Sequence, residues 1–304
     1  MAENYQTWEV TEPYVNLHDS LGEGPYYEKG TNTVRWLDIA RKQIHTVSVT
    51  EGPESVKTQQ LDVRVSVTAD IEGVDPKEKI LIGAKFGLAI LDRKTGQYEY
   101  ITRFVEGEGN PRTRSNDGAA DPHGRFWLGT MTDFDLGEFQ PEGSLVRFDG
   151  GQSVETTRQS ITIPNSVGWS PDGSIMYFTQ TEAGTVFAWD YSAEDGSLSN
   201  ERVFYKHQGT GGPDGFRIDV QGNMWHAIYG ESRVIKISPE GKLIGEIKLP
   251  TRNITCTQFV GTELFITTAS DPEGDEQSQK NGGALFRVDV GTTGVEPFEF
   301  KLKK

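Results

Sequence analysis

The sequence predicts an all-β protein, a six-bladed β-propeller forming one domain over residues 1–304. Three observations predict it. Short runs of alternating apolar and polar residues are separated by turns drawn from 35 glycines. No long stretch carries the period of an amphipathic helix. The chain also repeats itself. Asp121-Pro-His-Gly-Arg-Phe-Trp127, Ser170-Pro-Asp-Gly-Ser-Ile-Met-Tyr177 and Asp219-Val-Gln-Gly-Asn-Met-Trp225 share one template, a glycine turn leading into a strand. Their glycines, Gly124, Gly173 and Gly222, are spaced 49 and 49 residues apart.

Each unit follows in order. Looser copies of the template are Arg35-Trp-Leu-Asp38 and Lys79-Ile-Leu-Ile82 before the three strict ones, and Glu263-Leu-Phe-Ile-Thr267 after them. Every copy is followed by a second strand: 43–49, 87–92, 143–149, 184–190, 232–238 and 283–289. Six units of roughly 40–50 residues suit four-stranded blades, each covered on both faces by its neighbours. The loops at 105–115, 132–142 and 270–282 are rich in Gly, Pro and charge and read as excursions at one rim.

Composition narrows the function. A net charge of −15 argues against nucleic acid or an anionic membrane as partner. The single cysteine, Cys256, allows neither an intramolecular disulfide nor a Cys-based zinc site and reads as a buried thiol. Met1-Ala-Glu-Asn-Tyr5 lacks the basic and apolar regions of a signal peptide, and no run approaches 18 apolar residues. The expectation is a cytoplasmic protein, monomeric or weakly homo-oligomeric, acting on a small molecule.

The repeats put polar residues in register. Eight residues before the template glycines stand Asn116, Asn165 and Asp214. Glu23 lies seven before Gly30, and Asn253 eight before Gly261, while the second unit aligns too loosely to place a residue. Just before the channel-lining strand of each blade, these residues should converge at the channel mouth. Singly, Asn and Asp there are ordinary turn residues. Several at one repeat phase, joined by Glu23, point to a cation, because clustered carboxylates repel unless one relieves them. Oxygen donors suit Ca²⁺, Mg²⁺, Mn²⁺ or Fe²⁺, with Zn²⁺ tolerated. Arg112 and Arg114 flank Asn116 and could hold a substrate oxygen by forked donation. None of the five histidines shares a metal-ligand spacing with another; His18 is nearest the site. There is no Gly-x-Ser-x-Gly elbow and no phosphate-binding loop.

At these residues the chain resembles the senescence marker protein/regucalcin/gluconolactonase family. The matching stretches are Leu21-Gly-Glu-Gly-Pro25, Arg114-Ser-Asn-Asp-Gly118, Asp121 to Met131, Asn165-Ser-Val-Gly-Trp-Ser-Pro-Asp-Gly173, Pro213-Asp-Gly215 and Gly222-Asn-Met-Trp225. The resemblance implies a propeller, one divalent metal held by Glu23, Asn165 and Asp214, and hydrolysis of a sugar lactone contacted by Arg114 and Asn116. Asp214 would also be the catalytic base. Ser166 departs from the family's glycine, and Thr179-Gln-Thr181 from its Asp-Ser or Asp-Thr pair. Asp133 stands where some members carry acidic substrate contacts. The alternatives are a calcium-dependent phosphotriesterase or aryl esterase with Asn116 as fourth ligand, a non-catalytic metal-binding propeller, and a non-hydrolytic biosynthetic enzyme.

Overall fold

In the computed structural model, which describes residues 5–104, 112–151 and 153–303, the template turns form as the repeats require. Gly124 and Gly222 sit at φ 85° and 87°, where a side chain would clash. Each closes a hairpin between the innermost strand of a blade and the next.

The aspartate that opens the template has two tasks. Asp121 accepts from the amides of His123 and Arg125 in its turn, both at 2.9 Å, and from the Trp127 indole at 3.2 Å. Asp219 does the same for Gln221, Asn223 and Trp225. Trp36 donates to Asp19 at 2.9 Å. A fully buried indole needs such a partner, and all three tryptophans are buried in blade cores.

Six four-stranded units result. Blade 1 comprises Gly22–Glu28, Thr33–Asp38, Gln43–Ser48 and Lys57–Gln60, and blade 2 Val65–Ala69, Lys79–Ala84, Gly87–Asp92 and Tyr98–Arg103. Blade 3 comprises Thr113–Ala120, Phe126–Thr132, Gly143–Phe148 and Val154–Ile161, and blade 4 Pro164–Trp169, Ile175–Gln180, Thr185–Tyr191 and Leu198–Lys206. Blade 5 comprises Gly212–Ile218, Met224–Tyr229, Arg233–Ile237 and Leu243–Lys248. Blade 6 has Ile254–Val260, Glu263–Thr268 and Ala284–Asp289 from its own stretch of chain.

Its outermost strand comes from the other end of the chain. Val15–Asn16 pairs antiparallel with Leu285 and Ala284. Gln6–Glu9 adds a parallel strand to the rim of blade 5, where Trp8 packs 5.1 Å from Trp225. The amino-terminal segment thus closes the ring and covers an edge that would otherwise pair with other chains. Deleting residues 1–16 is expected to lower the thermal midpoint by roughly 10 °C or to leave the protein insoluble. Circular dichroism melts check this; an unchanged midpoint would show that closure contributes nothing.

The carboxy-terminal segment crosses the opposite end of the channel. Val295, Phe300, Lys301 and Lys303 donate backbone hydrogen bonds to Ile218, Asp70, Gly124 and Gly150 at 2.8–2.9 Å. A small cavity of about 70 Å³ lies beneath it. The loop at 132–142 carries a single 3-10 turn, Phe134–Leu136, and that at 270–282 a six-residue helix, Glu276–Asn281. Of the expected 105–115 loop, residues 105–111 lie outside the described residues. No described helix is long and apolar enough to cross a membrane.

His226 is fully buried, stacked on Phe216, with Nε2 beside Thr179 Oγ1 at 2.8 Å and Nδ1 without a partner. Burial, then His207, pushes its pKa down to about 3. The unfolded chain therefore binds this proton more readily. Stability should fall as pH drops from about 6.5 toward 3, by a few kcal/mol in all. Urea unfolding between pH 7 and 4.5 should show a flatter loss in His226→Gln than in the parent; parallel curves would remove His226 from the account.

Candidate metal and substrate site

All six innermost strands break register with their neighbours near the mouth. The slips fall between Glu23 and Tyr26, Val65 and Val67, Ser115 and Gly118, Pro164 and Val167, Pro213 and Phe216, and Ile254 and Cys256. Such a bulge carries unpaired residues and re-aims their side chains. Asn116, Asn165 and Asp214 sit in these bulges, and Glu23 borders one. They are therefore inside the strands, not just before them as the sequence suggested.

The sixth unit corrects the expectation further. Its hairpin pairs Val260 with Glu263, whereas blade 3 pairs Ala120 with Phe126 across a longer turn. Counting back from Gly261 therefore overshoots. Thr255, not Asn253, occupies the bulge and donates to the Gly22 carbonyl. Asn253 instead gives its amide to Ser270 at 2.9 Å. In blade 2 the bulge holds Ser66, which donates to Ser115 at 2.7 Å.

A cavity of about 570 Å³ opens at this mouth, lined by Glu23, Arg114, Asn116, Asn165 and Asp214 among others. Glu23, Asn165 and Asp214 are 8%, 4% and 8% exposed, so all three lie in a low-dielectric setting. Burial first, and then Asp117, pushes Glu23 up to about 8. Burial, then Glu23 and Asp117, holds Asp214 well above the usual carboxylate range.

Asn165 is held by its nitrogen, which donates to Thr181 Oγ1 at 3.1 Å; that hydroxyl donates to the Pro213 carbonyl at 2.8 Å. Its Oδ1 is buried without a donor. An orphaned acceptor beside two buried carboxylates that repel each other is what a hard cation would satisfy. The three residues thus fit a divalent ion. Among the described residues no three His, Cys, Asp or Glu side chains form a metal-binding group, so an ion here would draw on the Asn165 amide oxygen as well as the two carboxylates.

Asp117 was missed from the sequence, although it stands beside Asn116 in the Arg114–Gly118 stretch that carries the family resemblance. It is 7% exposed. Burial raises its pKa against the pull of Arg217 and Ser166. The Ser166 hydroxyl donates to Asp117 Oδ2 and accepts from the Phe216 amide at 3.0 Å. The residue that departs from the family's glycine thus ties blades 3, 4 and 5 together below the site. Arg217, held by Gln258 at 2.9 Å and by the Phe216 carbonyl at 2.8 Å, places a cation near Glu23 and Asp117. Of the other departure, Thr179 supports His226 and Thr181 orients Asn165.

Arg114 and Asn116 come together. Arg114 Nη1 donates to Asn116 Oδ1 at 2.9 Å and to the Ser115 carbonyl at 2.7 Å, and its guanidinium lies 4.0 Å over the Phe134 ring. Burial lowers its pKa to about 10. Asn116 Nδ2 donates to the Pro164 carbonyl at 2.8 Å. Asn116 thus bridges the Arg114 guanidinium and the edge of blade 4.

Of the remaining candidates, Asp133 lies 3.9 Å from the Arg114 guanidinium. Asp133 takes Lys85 at 2.7 Å and Arg64 at 2.8 Å, and is 3% exposed. It anchors those two cations behind Arg114. Arg112 reaches Glu142 at 3.1 Å, and His18 is exposed on a positive-φ turn. Sequence reasoning also missed Tyr229, whose ring lines the mouth near Asp214.

Residues 21–270 match the model of the SMP-30/gluconolactonase/LRE-like region. A pentonolactonase of Haloferax volcanii is 32% identical, with 95% of this chain and 97% of that protein covered. Regucalcin of Danio rerio is 32% identical, over 94% and 96% of the two chains. The crystal structure of a calcium-binding regucalcin from Agrobacterium tumefaciens superposes with a TM-score of 0.86 at 26% identity, covering 98% of this chain and 99% of that one.

Proposed function

From the premise that this chain belongs to the SMP-30/gluconolactonase/LRE-like family, we propose that it is a divalent-metal-dependent lactonase. It opens a sugar lactone of the gluconolactone, xylonolactone or arabinonolactone type to the aldonic acid, acting in the cytoplasm as a monomer or weak homo-oligomer. The observation that carries the reading is the buried Asn165 Oδ1 without a donor, set beside Glu23 and Asp214 in a cavity also lined by Arg114 and Asn116. The family's lactonases, such as the pentonolactonase of Haloferax volcanii, supply the reaction class.

Glu23, Asn165 and Asp214 would hold a divalent ion, which when bound would supply Lewis-acid polarisation of the lactone carbonyl. The chain's own groups do the rest. Arg114 and Asn116 hold ring hydroxyls and fix the ring for attack. Asp214 accepts a proton from the attacking water and returns it to the ring oxygen as the ester bond breaks. Phe134 keeps the Arg114 guanidinium flat and partly desolvated, which strengthens its hydrogen bonds.

The test is lactone hydrolysis by metal-stripped protein with Ca²⁺, Mg²⁺, Mn²⁺, Zn²⁺ or Fe²⁺ restored in turn, over five- and six-membered sugar lactones. Turnover restored by an ion on one sugar lactone supports the proposal. Tight ion binding with no turnover on any lactone overturns it in favour of a metal-binding propeller, the use suggested by the calcium-binding regucalcin of Agrobacterium tumefaciens. Arg114→Ala is expected to raise KM by about 10- to 100-fold with a smaller fall in kcat. An unchanged KM would place the sugar elsewhere in the cavity.

A further inference from the structure

The mouth cavity is lined by carbon as well as by polar groups. Its apolar wall comes from Leu21 and Ile39 beside blade 1 strands, Met131, Phe134 and Phe139 from blade 3 and the loop between its second and third strands, and Ile163 ahead of blade 4, with Phe134 lying against Arg114. Leu21, Ile39 and Phe134 also pack in a blade core, but Met131, Phe139 and Ile163 join none of the apolar cores among the described residues. Phe139 remains 38% exposed. Phe139 and Ile163 thus line the cavity without joining a blade core among the described residues.

The cations nearby do not make this wall polar. Arg64 is bound to Asp133 at 2.8 Å and Asp135 at 3.0 Å, Lys85 to Asp133 at 2.7 Å, and Arg112 to Glu142 at 3.1 Å. The cavity volume of about 570 Å³ falls in the range that encloses drug-sized molecules, more than one sugar ring fills. A sugar lactone held through Arg114 and Asn116 would leave part of this volume facing Phe139 and Ile163, which offer only carbon.

We infer that this wall is a subsite for a hydrocarbon substituent, so that the preferred substrate is a hydroxylated lactone carrying an alkyl or aryl group on its exocyclic oxygen. The inference rests on the lactonase reading for its polar contacts. Apolar surface removed from water is worth a several-fold gain for each buried methylene, and a rigid preformed wall yields that gain without ordering a loop.

The experiment compares gluconolactone with its 6-O-hexyl ether on the metal-restored protein, and gluconate with 6-O-hexylgluconate by calorimetry. The expected result is kcat/KM at least tenfold higher for the ether, and the hexyl acid binding at least tenfold tighter. In Phe139→Ser and Ile163→Ser both ratios should fall by threefold or more. If neither lactone turns over, the lactonase reading fails, while the ratio of the two acid affinities still decides the subsite. Affinities equal within threefold for the two acids, or ratios untouched by both substitutions, overturn the subsite.

Discussion

Asp214→Asn is expected to lower kcat on the preferred lactone by about 10³-fold at saturating metal ion, the range that one positioned base contributes. The substitution keeps the shape of the side chain and its place in the blade 5 bulge. It removes a proton acceptor and one of the charges that would hold an ion. These losses separate experimentally. Ion affinity, read by calorimetry, should fall by about 10- to 100-fold, and saturating ion should restore occupancy without restoring kcat. If kcat returns to near the parent value once the ion is saturating, Asp214 is a ligand and not the base.

Glu23→Gln should reverse an order of stability. In the metal-free protein Glu23 is buried with Asp117 and Asp214, and burial together with Asp117 makes its charge unfavourable. Glutamine keeps an oxygen for the Gly24 amide, which Glu23 Oε2 accepts at 2.8 Å, but brings no charge. Without ion the variant should therefore be the more stable protein, by about 1–3 kcal/mol. With ion at 100 times its dissociation constant the parent gains about 2.7 kcal/mol, and the variant little. Thermal melts in chelator and in saturating ion read both arms. A variant less stable than the parent in both conditions would make Glu23 a structural residue and not a ligand.

The blades were legible because a hairpin turn needs particular residues at particular spacings. Gly124, Gly173 and Gly222 mark the same turn three times, and the second strands at 87–92 and 184–190 form within a residue or two of where the alternation puts them. The phase of Asn116, Asn165 and Asp214 was legible for the same reason. The bulges were not, since one extra residue leaves no mark in composition. Asn253 was misplaced because the sixth hairpin is shorter than the third. Asp117 and Ser166 were invisible as a pair. They lie 49 residues apart in the chain, and only the ring brings blade 3 against blade 4. Val15–Asn16 is two residues long, too short for a pattern, and it is a strand only because residue 285 is beside it.

That last pairing sets the order of events during folding. Residues 15 and 285 are among the last partners to become available to each other. At roughly 5–20 residues per second of synthesis, the amino-terminal segment waits tens of seconds for its sheet to exist. Until then the open ring has high contact order still to complete and exposed strand edges at both ends. Until residue 285 has emerged, those edges stay open to pairing with a second copy. A circular permutant with its ends between blades 3 and 4 would form the present seam early and move that hazard to a different part of the wheel.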